Sequence, residues 1–266
     1  VSLSPLLAAY DHVILDLDGC VWIGEKPTRR AAEAIAELRA AQKTIAFVTN
    51  DAQHSPEDYV RKLWSLGIQA SLEEVVTVGA AIQYVLADRG TGASVYVIGA
   101  PAIFRHVTDS GQRVVNGTSH ESEAEIVVVA GHADLEFADL DPAIRSVLAG
   151  AHMIGAGRDR TYPTEAGISA GTGALIAALE YATERSATIA GKPDPQIFRT
   201  ALDRLGPGRT LVIGDRLDAD LYGAAAAGLD GAIVLTGVTS AEAAAVAEDP
   251  APVAIAPDLY ALVTEG

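Results

Sequence analysis

The chain has 266 residues, 49% of them hydrophobic and 20% charged, with a formal net charge of -16. That length accommodates one large domain or two modest ones. The acidic balance argues against a nucleic-acid or anionic-membrane surface, yet not against an anionic substrate, because a bound metal and a few basic groups reverse the field locally.

The first predicted element follows His12, where Val13, Ile14, Leu15 and Leu17 read as a strand buried on both faces, as in a parallel sheet. Asp16 and Asp18 stand where it runs out, followed at once by Gly19. In open α/β sheets ligands bind at the carboxyl ends of the strands. Two residues apart on a continuing strand, both carboxylates point the same way, and their repulsion calls for a cation or a shared proton. A hard cation such as Mg²⁺, which prefers oxygen ligands, matches that need.

Residues 20–27 form a short apolar ribbon with turn residues. Residues 28–42 have helical periodicity through Ala31, Ala34, Ile35 and Leu38, with Thr28 placed as N-cap. A second buried strand over 44–48 ends in Thr49-Asn50-Asp51, and a helix starts at Ser55-Pro56 and stops at Gly67. Strands over 75–78, 95–98, 126–130 and 152–155 then alternate with helices over 80–87, 101–110 and 141–148. A loop is expected over 156–170, and a helix over 171–185. The last third is again strand–helix, with strands over 188–190, 210–213, 231–235 and 253–255. Such alternation means parallel sheets with right-handed crossovers.

Only some strand ends carry chemistry: Asp16 and Asp18, Thr49 and Asn50, Lys192 and Asp215. Between residues 78 and 185 no strand ends in such a cluster. That asymmetry predicts a Rossmann-like, doubly wound α/β core built from 1–79 and 186–266, with an α/β cap over 80–185 inserted into it. The single cysteine, Cys20, rules out an intrachain disulfide and a cysteine-cluster metal site. No apolar run approaches a membrane span, and residues 1–10 lack the basic start of a cleaved signal, so a soluble cytoplasmic protein is expected.

Together the strand ends form a set suited to phosphoryl transfer, which is mostly positioning and charge neutralisation. Asp16 offers a carboxylate able to attack phosphorus, and Asp18 one able to protonate a leaving oxygen and later deprotonate water. Thr49 and Asn50 offer hydrogen bonds to phosphate oxygens, and Lys192 a compact positive charge. Asp215 is a further carboxylate for Mg²⁺, with Asp220 behind it. A dinucleotide-binding oxidoreductase would need a G-x-G-x-x-G turn where Asp16-Leu17-Asp18-Gly19 stands.

The segments Asp16-Leu17-Asp18-Gly19, Thr49-Asn50, Gly191-Lys192-Pro193 and Gly214-Asp215-Arg216-Leu217-Asp218-Ala219-Asp220 resemble, in order, the four motifs of the haloacid-dehalogenase-like phosphatases. Within them the chain is most similar to the subgroup with a large α/β cap (subclass IIA), which contains the bacterial p-nitrophenylphosphatases and the animal phosphoglycolate/glycerol-3-phosphate phosphatases. Ser169-Ala170-Gly171-Thr172-Gly173 and Leu235-Thr236-Gly237-Val238 extend the resemblance. It implies Asp16 as nucleophile and Asp18 as general acid/base. It also implies Mg²⁺ held by Asp16, the backbone carbonyl of Asp18, and Asp215, with Asp220 behind them, and Thr49, Asn50 and Lys192 on the phosphoryl group. The expected substrate is a small phosphorylated metabolite such as a sugar phosphate, glycerol phosphate or phosphoglycolate. A homodimer through the cap is expected as well. Hydrolysis and phosphotransfer to another hydroxyl remain alternatives at this level, with a non-catalytic ligand-binding protein on the same fold as a third.

Three departures bear on substrate choice. Asp51 stands where relatives often have Asn, Gln53-His54 where a Lys or Arg often follows, and the cap loop reads Gly157-Arg158-Asp159-Arg160-Thr161-Tyr162-Pro163. Tyr162, Arg158 and Arg160 are therefore the expected specificity residues, with His54 and His132 next. Trp22 and Trp64 are expected to be packing residues.

Overall fold

The apolar runs become strands of two parallel sheets in a computed structural model, which describes residues 3–131, 135–164 and 167–264, with 162–164, 167 and 168 described by backbone alone. The chain divides into two compact units. The first takes the residues up to Thr49, Pro56–Val76, and those from Lys192 onward; the second takes Asn50–Ser55 and Thr77–Gly191.

The six-stranded sheet of the first unit runs β15 (Ala254–Ala256), β14 (Asp230–Val234), β13 (Thr210–Gly214), β1 (His12–Asp16), β4 (Thr44–Thr49), β5 (Val75–Thr77). The pairs β1–β13, β1–β4, β13–β14 and β14–β15 are all parallel. From β1 the chain builds outward through β4 and β5, and later returns to build the other way through β13, β14 and β15. The order therefore reverses between β1 and β13, and a crevice opens at their carboxyl ends. Every residue of β1 and of β13 is buried, as expected for central strands covered on both faces.

Helix Ala31–Ala40 buries Ala31, Ala34, Ile35 and Leu38, the one-faced spacing read from the sequence, into the core formed by Val13, Leu15, Phe47 and Ile213. It begins later than predicted. Thr28 is not its cap, because the Thr28 hydroxyl instead donates to the Cys20 carbonyl at 2.8 Å and closes the loop after β1. Inside that loop β2 (Trp22–Ile23) and β3 (Lys26–Pro27) pair as a small antiparallel ribbon.

The second unit holds a five-stranded parallel sheet in the order β12 (Thr188–Ile189), β9 (His152–Gly155), β8 (Ile126–Ala130), β6 (Ser94–Gly99), β7 (Arg113–Val114). Its core collects Tyr96, Ile98, Val127, Val129, Met153, Ile176 and Leu179. Two local expectations change here. The strand at 188–190, read with the last third of the chain, pairs with β9 and so belongs to this sheet. The expected loop over 156–170 instead contains an antiparallel pair, β10 (Thr161–Thr164) and β11 (Gly167–Ala170). Pro163 obscured it, but a two-stranded ribbon has only edges, where a missing N–H is tolerated. Among the described residues no helix is long and apolar enough to cross a membrane.

Candidate active site

The crevice between β1 and β13 collects the strand-end residues of the first unit. Asp16 ends β1 and Asp215 follows β13 directly, and both are buried. Val48 lies opposite Asp16 on β4, so Thr49, buried at that strand's end, is its neighbour one residue further on. Lys192 is 5% exposed, and its ammonium donates to Asp16 Oδ1 and, at 2.7 Å, to Asp220 Oδ1.

Asp220 arrives by a local irregularity. Residues Leu217–Leu221 form a single π-helical turn ahead of helix Tyr222–Ala226, a feature that recurs at functional sites. The turn brings Asp220 inward, where its Oδ2 accepts from the Arg216 N–H at 3.0 Å. Both Asp220 oxygens are thus engaged, and its place is behind Lys192. Arg216 itself is turned to Asp218, donating through Nε and Nη2 at 3.0 and 2.9 Å.

The charge balance of this pocket is the informative quantity. Asp16, Asp215 and Asp220 offer carboxylate oxygens that lie within 4.8 Å of one another, and Lys192 is the cation paired with Asp16 and Asp220. Three carboxylates against one ammonium leave two negative charges uncompensated, and buried charge of that kind is costly. Burial pushes Asp16 well above the usual carboxylate range; Lys192 opposes the shift, while the Asp220 and Asp215 charges add to it. Burial, with Asp220 next, likewise pushes Asp215 up to about 6, against the Val238 N–H, Lys192 and Arg216. Burial works against the Lys192 ammonium too, but the Asp16 and Asp220 carboxylates outweigh it and hold the group charged. Asp215 Oδ2 accepts from the Val238 N–H at 2.6 Å, whereas its buried Oδ1 has no hydrogen-bond partner among the described residues. An orphaned carboxylate oxygen and a deficit of two positive charges fit a divalent cation bound by oxygen.

Asp18 differs from expectation. The strand ends at Asp16 and the chain curls, with Gly19 at φ 90° and the Val21 and Trp22 N–H groups both donating to the Leu17 carbonyl. Asp18 is therefore an exposed turn residue, not a second in-line strand carboxylate. Its Oδ1 accepts from the Trp22 indole N–H at 2.8 Å. Sequence reading missed that contact, and also the role of the 236–239 loop, whose Val238 N–H fixes Asp215 and whose Thr236 hydroxyl donates to the Gly19 carbonyl at 2.5 Å. A run of small and β-branched residues just after a buried strand was the available signal.

The remaining predicted residues lie in the second unit. The Asn50 amide donates to Asp159 at 3.4 Å. Asp51 is taken up locally: its Oδ1 accepts from the Gln53 N–H at 3.0 Å, and its Oδ2 pairs with His54 Nδ1 at 2.7 Å. Arg158 is engaged by Glu180 through two hydrogen bonds of 3.0 and 2.9 Å, while Arg160 is exposed. Tyr162 sits on β10 opposite Ser169. His132 lies outside the described residues.

Known phosphatases resemble this chain in sequence and fold. A family profile for haloacid dehalogenase-like hydrolases matches residues 13–113, and a second, HAD-hydrolase-like profile matches 189–262. The chain is 37% identical over 247 residues to the D-glycerol 3-phosphate phosphatase of Mycobacterium tuberculosis, covering 92% of this chain and 69% of that protein. It is 33% identical over 270 residues to human glycerol-3-phosphate phosphatase, covering 89% and 82%. The crystal structure of the Mycobacterium tuberculosis glycerol phosphate phosphatase in complex with magnesium superposes with a TM-score of 0.91 at 36% identity, over 99% of this chain and 79% of that one. The chain belongs to the haloacid dehalogenase-like hydrolases, among their phosphatases with a subclass IIA pattern.

Proposed function

We propose that this phosphatase hydrolyses glycerol phosphate, or a polyol phosphate of similar size, with Asp16 as nucleophile, Asp18 as general acid and base, and Mg²⁺ as its divalent metal. The observation that carries the reading is the buried Asp16–Lys192 contact beside an Asp215 oxygen without a partner. Two relatives named for glycerol phosphate support the substrate, and the magnesium complex of one supports the ion.

Asp16, Asp215 and the backbone carbonyl of Asp18 hold the cation in this reading, which when bound supplies the positive charge that keeps Asp16 ionised and offsets the phosphoryl oxygens. Asp16 forms a bond to phosphorus as the bond to the leaving oxygen breaks, and Asp18 gives that oxygen its proton. Water then attacks phosphorus, Asp18 takes a proton from it, and Asp16 leaves as the carboxylate. Thr49, Asn50 and Lys192 bind phosphoryl oxygens.

The second unit is the specificity domain of this proposal. Arg160 and Tyr162 are the first residues to change, because Arg158 is occupied by Glu180. A homodimer through that unit and a cytoplasmic location complete the proposal. Sedimentation velocity checks the former.

The test is phosphate release across a panel of phosphometabolites, with Mg²⁺ and with EDTA. Glycerol 3-phosphate should rank at or near the top with Mg²⁺ and fall to background in EDTA. Tyr162→Ala and Arg160→Ala should reorder the panel by kcat/KM while leaving the metal requirement intact. Indifference to EDTA, or a panel unmoved by both variants, contradicts the metal or the specificity assignment respectively.

A further inference from the structure

Asp18 is exposed and sits on a turn, conditions under which a short carboxyl normally samples several rotamers. Here it is tied down. Gly19 N–H donates to the Trp22 carbonyl at 2.7 Å and Trp22 N–H to the Leu17 carbonyl at 3.1 Å, so the turn closes on itself. The Trp22 indole, 0% exposed, then donates its N–H to Asp18 Oδ1 at 2.8 Å. The indole is itself held. It stacks on Tyr59 with ring centroids 6.2 Å apart and planes 6° from parallel, and the Lys62 ammonium lies 4.6 Å from its ring centroid. Tyr59 and Lys62 are three residues apart on helix Pro56–Ser65 and so share a face. Lys62 is anchored in turn by the Gly24 carbonyl at 2.8 Å and by Glu25 at 3.2 Å.

A buried indole N–H needs a hydrogen-bond partner, and here the partner is the side chain assigned above as general acid and base. We propose that Trp22 is a positioning residue for Asp18. The indole commits Oδ1 to accepting, so the proton that Asp18 transfers travels on Oδ2. In the first half-reaction the Oδ2–H bond breaks and the proton passes to the leaving alkoxide oxygen as its bond to phosphorus breaks. In the second, Oδ2 takes the proton of the attacking water. The inference rests on Asp18 as general acid and base. It adds that the acid works at its full rate only when Trp22 fixes which oxygen faces the reaction.

The experiment is a rapid-quench measurement of the single-turnover phosphorylation step with Mg²⁺. It compares glycerol 3-phosphate, whose alkoxide needs protonation, with p-nitrophenyl phosphate, whose leaving group does not. Trp22→Phe keeps an aromatic ring between helix and turn but removes the donor. It should slow the first substrate roughly tenfold, in line with losing one hydrogen bond to a charged group, and the second by less than about twofold. Added to Asp18→Asn it should cost less than about twofold on either substrate, because there is no longer an acid to position. If Trp22→Phe does not fold, benzothienylalanine at position 22, which replaces the N–H by sulfur at the same ring size, takes its place with the same expectations. Equal losses on both substrates, or a full further loss in the Asp18→Asn background, would mean that Trp22 only packs. Should Asp18→Asn itself show no preference between the substrates, the general-acid reading falls first and the proposal with it.

Discussion

Asp215 carries a charge that burial disfavours in the metal-free site. Its pKa is pushed up from 3.8 to about 6, chiefly by burial. A carboxyl whose folded pKa is raised contributes stability that is fully present below its unfolded pKa and is lost as pH rises through the folded one. In EDTA the Asp215 contribution should therefore disappear between about pH 4 and pH 6, and it is worth on the order of 3 kcal/mol. Asp215→Asn keeps an oxygen for the Val238 N–H but does not titrate. Thermal melts in EDTA at pH 7 should place the variant at or above the wild type, and excess Mg²⁺ should reverse that order. A variant less stable than the wild type in EDTA would show that the carboxylate is already compensated. Asp16 and Asp215 were legible in the sequence because each stands at the end of a buried strand, and Lys192, after the partly exposed β12, through the Gly191-Lys192-Pro193 motif. The Trp22–Asp18 contact was not, since it depends on how tightly the turn after Leu17 curls. Nor was the contact between the Asp51 carboxylate and His54.

At the scale of elements, the loop after β14 is the clamp of the site. Thr236 reaches the Gly19 carbonyl, Val238 N–H the Asp215 carboxylate, and Thr239 N–H the Asp215 carbonyl at 3.1 Å. Two glycines make room for this. A Cβ on Gly19, at φ 90°, would lie 2.6 Å from the Asp215 carboxyl, and one on Gly237 would overlap Asp215 Oδ2. Gly237→Ala should accordingly displace the carboxylate and weaken Mg²⁺ binding by about tenfold or more, which is about 1.4 kcal/mol, read by titration calorimetry on a variant of unchanged circular dichroism. Val238→Ala should bind like the wild type, because that residue acts through its N–H and its side chain is 73% exposed. Wild-type affinity in Gly237→Ala would leave the loop without the role given to it. Strand and helix periodicity showed both parallel sheets in advance. It could not show which sheet a two-residue strand such as β12 joins, because that choice is made by tertiary pairing. Nor could it show β10 and β11, where a proline interrupts the alternation.

For the molecule as a whole, the reversal of strand order between β1 and β13 explains why residues nearly 200 positions apart form one pocket. That reversal is a property of topology, and only the alternation of strands and helices announced it. The same molecule carries a net charge of -16 and yet takes an anionic substrate. At low ionic strength the overall field repels that substrate, and salt screens the repulsion over about 10 Å at 0.1 M. The kcat/KM for glycerol 3-phosphate should thus rise, by a few-fold, as NaCl is raised from about 10 to about 150 mM at fixed free Mg²⁺. A fall would reveal a local positive funnel strong enough to overcome the net charge. Replacing Asp16 by Asn, which cannot form an acyl phosphate, should lower turnover by roughly a thousandfold or more with the fold intact.

The proposed mechanism passes phosphate through the carboxylate that ends β1. It is tested most directly by acid-quenching the enzyme during turnover of glycerol 3-phosphate, reducing with borohydride and mapping the modified peptide by mass spectrometry. An acyl phosphate at Asp16, reduced there to homoserine, is the expected result. A quenched enzyme unmodified at Asp16 while phosphate is being released, with inversion of configuration at phosphorus, would contradict the account and assign the attack to water.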